Sequence, residues 1–276
     1  MNIYSAKSID DVTSFLQSYG AESIILAGGT DVVVKYKNEL LTKREVCDIY
    51  GIRDLRYIKE TADHLAMGSL TTHKDLAESK LVNNYAPILA QAAASVGSPQ
   101  IRNRGTIGGN IGTASPAGDT LPALMALGAC IKVINSSRER TINIRDFFVG
   151  PGKTVLKPDE FIYEITIPKL VDGEKAFFSK LGSRSALAIS IASVAAKVKL
   201  GRGVFTRVEI SLGSLAPTVI YKRLSILEGE RLPNKELWNK LQHIKKLVSP
   251  INDVRASAEY KNQMAVALLF QGLKDI

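Results

Sequence analysis

A glycine-rich stretch at residues 96–129 constrains this chain more than any other part of its sequence. Its first half is crowded with small and hydrogen-bonding residues, namely Gly105, Thr106, Gly108, Gly109, Asn110, Gly112, Thr113 and Ser115. Glycines let a backbone bend sharply and approach a ligand closely, and successive N–H groups in such a bend form a concave anion site. An apolar run with helical spacing follows, and its N-terminus would add a helix dipole. We interpret the stretch as a loop and helix that bind an anionic ligand, the alternative being an ordinary surface loop before a helix.

A second glycine turn lies near the N-terminus, where residues 23–34 read SIILAGGTDVVV. A short apolar strand, a Gly-Gly-Thr-Asp turn and a new ordered element are another way to present backbone N–H groups to a pyrophosphate. Neither stretch has the spacing GxGxxG or GxxxxGK[ST], so neither a Rossmann fold nor a P-loop is predicted. Asp119 is the one acid of the first stretch, and it suits a sugar hydroxyl better than a phosphate. Together the two turns predict a site for a nucleotide-diphosphate cofactor.

The pattern of the remaining chain predicts an α+β protein with two domains. Ser8 and Asp11 form a capping box for a helix that ends at Gly20, and Thr71 or Thr72 caps another. The charged segment 169–175 is the expected boundary, giving domains at 1–170 (subdomains of about 1–54 and 55–170) and 171–276. In the second domain we expect three antiparallel strands at 176–181, 190–200 and 204–212, then helices at 221–227, 234–248 and 253–273 with Asn234 and Asp253 as caps.

Composition narrows the class of protein. The chain has 276 residues, of which 45% are hydrophobic, enough for well-formed cores. No apolar run is long enough to span a membrane and no signal peptide is evident, so a cytoplasmic location is expected. The net charge of +9 is spread along the chain without a nucleic-acid motif, which favours a solvated face or a partner subunit over nucleic acid.

Cysteine and histidine are too sparse for a metal site. Cys47 and Cys130 are far apart in sequence and are expected to be buried small hydrophobes. His64, His73 and His243 fall on unrelated segments and are interpreted as surface or capping residues. We therefore predict no metal ligand and no catalytic acid or base on this chain, and any iron–sulfur cluster would be on another chain.

Two motifs in this order resemble a known family. AGGTD at residues 27–31, with RNRGTIGGNIGTASPAGDTLPALMALGA at 102–129, is similar to the FAD-binding medium subunit of the molybdenum hydroxylases, a family that includes xanthine dehydrogenases and aerobic carbon monoxide dehydrogenases. The segments at 159–168, 177–198 and 255–269 fit as well, so the resemblance covers nearly the whole chain. It implies a flavin fold of the p-cresol-methylhydroxylase type in the first domain, followed by the smaller α+β domain.

The resemblance also implies the cofactor contacts, residue by residue. The segment that would wrap the pyrophosphate and flank the flavin consists of Ala27, Gly28, Gly29, Thr30, Asp31, Val32 and Val33. The second stretch would contribute Thr106, Gly109 and Asn110, with Ser115 as an extra contact and Asp119 on a sugar hydroxyl. Ile162 would touch the adenine end, and Lys180 would reach the flavin from the second domain. Arg102 and Arg104 would either neutralise phosphate or anchor the loop, and the residues favour neither role.

The implied function is electron transfer within an oxidoreductase complex. Substrate would be hydroxylated at a molybdopterin site on a large subunit, and electrons would pass through 2Fe–2S clusters on a small subunit to FAD on this chain and then to NAD or oxygen. The expected assembly is a dimer of heterotrimers. Two alternatives remain open from the sequence: a self-sufficient flavin oxidoreductase of the same fold, and a structural or assembly subunit that has lost its flavin.

Overall fold

A computed structural model describes residues 2–184, 187–229 and 234–276 of the chain. The N-terminal unit is a parallel sheet with two helices, formed by β1 (Asn2–Ser5), α1 (Ile9–Tyr19), β2 (Ser23–Leu26), α2 (Val32–Lys37) and β3 (Glu45–Asp48). The strand order is β1-β3-β2. Ser8 and Asp11 form the predicted capping box of α1, and Gly20 ends the helix at a φ of 42°. The predicted glycine turn thus connects β2 to α2.

A five-stranded antiparallel sheet forms the next part of the chain. Its strands are β4 (Ile58–Glu60), β5 (His64–Gly68), β6 (Cys130–Ile134), β7 (Glu139–Asn143) and, after a hairpin of β8 (Phe148–Gly150) and β9 (Lys153–Thr154), β10 (Phe161–Pro168). The strand order is β4-β5-β10-β6-β7, so β10 pairs with two strands from distant parts of the sequence. Cys47 is buried as predicted, whereas Cys130 on β6 is only partly buried.

Six helices connect β5 to β6, and some of them contact this sheet. They are α3 (His73–Glu78), α4 (Lys80–Tyr85), α5 (Pro87–Ala94), α6 (Pro99–Arg104), α7 (Ile107–Thr113) and α8 (Thr120–Leu127). Every residue of α8 is buried, because the helix lies between the five-stranded sheet and the C-terminal strands. The sequence predicted Thr71 or Thr72 as the cap of this helix. The structure shows Thr72, which forms a capping box with Asp75 at the start of α3.

The glycine-rich stretch differs from the predicted loop, because most of it is helical. Ser98 accepts a hydrogen bond from the amide of Ile101 and Pro99 occupies the first turn, a favourable start for α6. Thr106 caps α7 through the amide of Gly109. The glycines of α7 allow close packing, since a Cβ on Gly108 would lie 2.6 Å from Cβ of Ser69.

The C-terminal part is an antiparallel sheet covered by two helices. Its elements are β11 (Glu174–Gly182), β12 (Ser190–Gly201), β13 (Val204–Gly213), β14 (Ile220–Arg223), α9 (Asn234–Leu241) and α10 (Ala258–Lys274). The three predicted strands are present, but the sheet has a fourth strand, β14, where a helix was predicted at 221–227. A short apolar run does not separate strand from helix, and here pairing of β14 with β13 decides in favour of the strand.

The two last helices also differ from their predicted limits. The helix predicted at 234–248 ends at Leu241 and continues as a 3-10 turn at Gln242–Lys246. Ser257 caps α10, not Asp253, whose carboxylate instead binds Arg255 and Lys261. The predicted cap at Asn234 concerns a side chain outside the described part of the structure. In the described ranges, no helix is long and apolar enough to cross a membrane.

Candidate cofactor site

A cavity of about 640 Å³ lies between the β2–α2 turn, the end of α1, helix α7 and strand β10. Its volume is within the range of small-molecule and cofactor sites. The structure brings many of the predicted site residues together along its wall: Ala27, Gly28, Gly29, Thr30, Asp31, Val32, Thr106, Gly109, Asn110 and Ile162. Residues more than 100 positions apart in sequence therefore face one cavity.

The β2–α2 turn, whose residues line this cavity, has a series of backbone N–H groups without a partner in the described chain. Among the hydrogen bonds of the described chain, none has the amide N–H of any residue from Gly28 to Val32 as its donor. Gly29 has a φ of +77°, which a side chain would strain. A Cβ on Gly28 would lie 1.8 Å from the carbonyl oxygen of Arg104, so only glycine fits there. Consecutive free amides at a left-handed turn form an anion-binding nest that fits a diphosphate.

The backbone of α7 is occupied by contacts within the protein, contrary to the expectation that both glycine segments offer their amides. Ile107 donates to the carbonyl oxygen of Thr71 at 2.9 Å, and Gly108 donates to that of Ser69 at 2.9 Å. Gly109 donates to Oγ1 of Thr106 at 3.1 Å. The second stretch therefore shapes the cavity wall, while the free amides come from the first turn.

Arg102 and Arg104 anchor the backbone around the cavity. Arg102 donates from Nη1 to the carbonyl oxygens of Val96 and Gly97 at 3.0 and 3.1 Å. Arg104 lies 3.8 Å over the ring of Tyr50, and its Nε is 3.4 Å from the carbonyl oxygen of Gly28. Both side chains therefore anchor the loop, and whether either also neutralises a phosphate stays a prediction.

Side chains join the two walls of the cavity. Oδ2 of Asp31 accepts a hydrogen bond from Oγ1 of Thr113 at 3.1 Å and lies 2.8 Å from Nζ of Lys35. Oδ1 of Asn110 accepts from Oγ1 of Thr120 at 2.6 Å. This bond fixes the Asn110 amide and leaves its NH₂ group without a partner in the described chain, so that it can donate to a ligand.

Other predicted site residues do not line the cavity: Val33, Ser115, Asp119 and Lys180. Nζ of Lys180 lies 2.6 Å from Oδ2 of Asp119 and donates to the carbonyl oxygen of Ser95 at 2.9 Å. Burial raises the pKa of Asp119 above its ordinary value, although the charge of Lys180 acts in the opposite direction. Whether these side chains contact a cofactor stays a prediction.

Sequence reasoning missed His73 and Ser69, which line the cavity at 2% and 3% exposure. The expectation that His73 is a surface or capping residue is wrong. Burial, with a smaller contribution from Arg102, lowers the pKa of His73 to about 4, so its ring is neutral at neutral pH. The polar sequence HKDLAES gave no sign of a buried histidine, because helix α3 buries only His73 and Leu76.

Comparison with known proteins agrees with this geometry. Residues 1–170 match the family described as the FAD binding domain in molybdopterin dehydrogenase, and residues 177–276 match the CO dehydrogenase flavoprotein C-terminal domain. The carbon monoxide dehydrogenase medium chain of Afipia carboxidovorans is 30% identical over 95% of this chain and 92% of its own length. The xanthine dehydrogenase FAD-binding subunit of Escherichia coli is 30% identical, over 94% of this chain and 89% of its own.

The fold is similar to that of a solved structure. Carbon monoxide dehydrogenase from Hydrogenophaga pseudoflava matches with a TM-score of 0.93 and 28% identity, over 98% of this chain and 95% of that chain. The family resemblance and the FAD cofactor predicted from the two glycine motifs are thereby confirmed. The chain belongs to the family of FAD-binding medium subunits of the molybdenum hydroxylases and is the flavoprotein component of an oxidoreductase.

Proposed function

We propose that this subunit accepts electrons from iron–sulfur clusters on a partner chain and passes them to an external acceptor such as NAD or oxygen. FAD, when bound, supplies the chemistry that links one-electron to two-electron transfer. The residues of this chain bind the cofactor, orient it and limit its contact with water. The proposal is supported by the family of the chain.

The observation that carries the proposal is the series of free amides from Gly28 to Val32. A diphosphate offers several acceptor oxygens at once to unpaired backbone N–H groups of such a turn. In this proposal the diphosphate lies on the β2–α2 turn. The NH₂ group of Asn110 and the hydroxyl of Thr106 approach it from the opposite wall, and Ile162 borders the adenine end.

The remaining predicted contacts belong to the same proposal. Val33 and Ser115 would flank the cofactor at the edge of the site, and the Asp119–Lys180 pair would approach it from the junction of the two domains. The domain division at 1–170 and 171–276, with subdomains of about 1–54 and 55–170, is proposed too. It is supported by the separate family matches, which end at residue 170 and begin again at residue 177.

The partners that we propose are a molybdopterin-binding large subunit and a small subunit with 2Fe–2S clusters, assembled as a dimer of heterotrimers. This chain needs no acid or base for substrate hydroxylation, because that reaction takes place on the large subunit. Relatives named as medium chains or medium subunits support an assembly of this kind.

The first experiment is a visible absorption spectrum of the purified chain, followed by denaturation and chromatographic identification of the released flavin. We expect the spectrum of an oxidised flavin and about one FAD per chain. A co-expression experiment with tagged chain then tests for a molybdenum-containing and an iron–sulfur partner. Anaerobic addition of the complex's substrate should bleach the flavin only when both partners are present.

The outcomes separate the proposal from its alternatives. A chain that turns over a substrate without any partner would favour a self-sufficient flavin oxidoreductase. A chain that stays colourless in the co-expressed complex, even with excess FAD, would favour an assembly subunit without flavin.

A further inference from the structure

Helix α2 (Val32–Lys37) lacks a packed apolar face. None of its residues is buried against the rest of the described chain. Short helices are marginal in water and depend on tertiary packing, and this helix begins with three consecutive valines, which are β-branched and have a low helix propensity. The chain itself therefore does not supply the packing that a helix of this sequence needs.

The exposed side chains of α2 and of the turn after it are largely apolar. Val33 and Val34 are 44% and 53% exposed, and Tyr36 and Leu40 are 53% and 71% exposed. We call these four residues the α2 patch. Neighbouring apolar side chains on a protein surface mark sites of interaction with another molecule.

The backbone after α2 is held in a strained conformation. Glu39 has a φ of 57°, in the left-handed region that residues with a side chain rarely adopt. The amide of Leu40 donates to the carbonyl oxygen of Lys35 at 2.9 Å and closes this turn. Strained residues are concentrated at functional sites, where the surrounding structure holds them. The turn thus fixes the backbone at Leu40, the most exposed residue of the α2 patch, as a preformed contact surface requires.

Positive charges accompany the apolar residues of this segment. Residues 32–44 include one acid, Glu39, and four basic residues, Lys35, Lys37, Lys43 and Arg44. Lys35 forms an ion pair with Asp31 at 2.8 Å, and the other three cations still exceed the one acid. Interfaces combine an apolar centre with a polar rim, and complementary charges orient the partner. The segment therefore fits an acidic partner surface with an apolar centre, whereas a second copy of this chain would bring like charges together.

The same segment borders the cofactor cavity. Val32, Lys35 and Lys43 line the cavity, and α2 begins directly after the β2–α2 turn. Oδ2 of Asp31, the residue before α2, accepts a hydrogen bond from Oγ1 of Thr113 on the opposite wall at 3.1 Å. A protein bound to the α2 patch would therefore lie beside the cavity. Electron transfer slows steeply with distance, so a donor of electrons gains most from binding there.

We propose that the α2 patch is the docking surface for the subunit that donates electrons, and that this partner contacts it with an apolar surface rimmed by acidic side chains. The inference rests on the proposed function, because it assigns a place on this chain to the iron–sulfur partner. The packing that α2 lacks in the single chain is then completed in the complex.

The test measures the dissociation constant between the FAD-loaded chain and its co-expressed iron–sulfur subunit, by sedimentation of the complex over a dilution series. We expect Val34→Ser and Leu40→Ser each to weaken association about tenfold or more, as for the loss of an apolar contact at the centre of an interface. Ile251→Ser and Val254→Ser are the matched controls, because these residues are 71% and 105% exposed but lie outside the α2 patch. The controls should stay within about twofold of the wild type.

The charges allow a separate measurement of the association rate. The double variant Lys37→Glu with Arg44→Glu should slow association about tenfold at low ionic strength, and the difference should shrink at high salt. Lys245→Glu with Lys246→Glu, at two exposed positions elsewhere, is the control and should slow association less. Hydrogen exchange of the amides at residues 33–40 should also slow when the partner binds.

FAD content and thermal stability separate docking from a structural role. Because Val34 and Leu40 are exposed, their serine variants should retain the wild-type amount of FAD per chain. The melting temperature of the isolated chain should change by less than about 2 °C. Bleaching of the flavin by the complex's substrate should be slower at a limiting concentration of the partner and should recover when the partner is in excess.

The possible results lead to different conclusions. Association within about twofold of the wild type for both Val34→Ser and Leu40→Ser would overturn the inference, and so would an equal loss in the two controls. Phosphatidylglycerol vesicles test the other occupant that an apolar and basic segment could have. If the isolated chain binds them and only the patch variants lose this binding, with partner affinity unchanged, the α2 patch contacts a membrane surface and the inference is wrong. A wild-type chain that forms no complex with an iron–sulfur subunit would contradict the proposed function itself.

Discussion

Nζ of Lys180 lies 2.6 Å from Oδ2 of Asp119, so strand β11 of the C-terminal sheet holds the residue that precedes helix α8. The side chains of Lys180 and Asp119 are only 11% and 9% exposed. The same ammonium donates to the carbonyl oxygen of Ser95 after helix α5, so one amine connects three segments from both parts of the chain. A buried ion pair at such a junction has consequences for stability that can be measured.

Lys180→Met should lower the free energy of unfolding by about 3 kcal/mol, because it leaves the buried carboxylate without its counter-ion. Urea denaturation of the FAD-free chain measures the change. Lys74→Met is the matched control, because the exposed Lys74 forms only a long surface ion pair, with Nζ 4.0 Å from Oε2 of Glu78. This variant should change stability by less than about 0.5 kcal/mol. The double variant Lys180→Met with Asp119→Asn should recover part of the lost stability, because it also removes the unpaired carboxylate. If Lys180→Met and Lys74→Met are equally stable, the expectation is wrong.

Gly28→Ala should weaken FAD binding by about tenfold or more, as expected if the turn must shift at a cost of about 1–3 kcal/mol. The reason is the 1.8 Å distance between the new Cβ and the carbonyl oxygen of Arg104, which is backbone and cannot rotate away. Gly51→Ala is the control, because a Cβ at Gly51 meets nothing within 4 Å. Fluorescence titration with FAD gives both affinities, and similar values would contradict the role of the turn.

Glu209→Gln should lower the free energy of unfolding by about 3 kcal/mol. Glu209 is 1% exposed and accepts hydrogen bonds from Tyr221 and Arg207, while Arg145 and Lys197 lie within 4 Å. Burial alone would raise the pKa of Glu209, but the hydrogen bonds from Tyr221 and Arg207 outweigh it and keep the pKa below its ordinary value.

The uncharged side chain of Glu209→Gln would leave the positive charges of Arg145, Lys197 and Arg207 without the carboxylate that balances them. Glu78→Gln, at a 68% exposed side chain, is the control for denaturation and should change stability by less than about 0.5 kcal/mol. A thermal unfolding curve that splits into two transitions in Glu209→Gln would additionally reveal that the two parts of the chain unfold separately, since Arg145 and Glu209 belong to different parts. If Glu209→Gln is as stable as Glu78→Gln, the charges around Glu209 do not contribute to stability in the way expected.

His73 should make folding stability depend on pH between about 6.5 and 4. Its pKa is lowered from 6.5 to about 4 in the folded chain, so the unfolded chain takes up the proton first as the pH falls. Its contribution is complete above pH 6.5 and is lost progressively toward pH 4, by about 3 kcal/mol in total. The measurement compares the free energy of unfolding at pH 7 with that at pH 4.5. His73→Gln should not show the loss that is due to His73, whereas His243→Gln, a change at an exposed position, should show it as the wild type does.

Elements with strong local signals could be predicted from the sequence. The capping boxes at Ser8 and Thr72 start α1 and α3, and alternating apolar residues mark β10. The two glycine motifs gave the family and the segments that meet at the cavity. In each of these cases the local preference of the chain and its tertiary environment favour the same structure.

The remaining features depend on contacts between distant residues. Glycine has a low helix propensity, yet α7 is helical because Gly108 packs directly on Ser69 and its amide binds that residue's carbonyl. Strand β14 exists because β13 offers an unpaired edge. His73 is buried because Gly105 leaves room for its ring. None of these partners is a neighbour in sequence, so the local pattern could not predict them.

The free amides of the β2–α2 turn also bear on the life of this protein in a cell. A ligand that binds only the folded chain stabilises it in proportion to the logarithm of ligand concentration. We therefore expect newly made chains to be degraded faster when flavin is scarce, and a pulse-chase measurement in riboflavin-starved cells would record the shorter half-life. By this expectation, the supply of the vitamin would also set how much of the subunit persists in the cell.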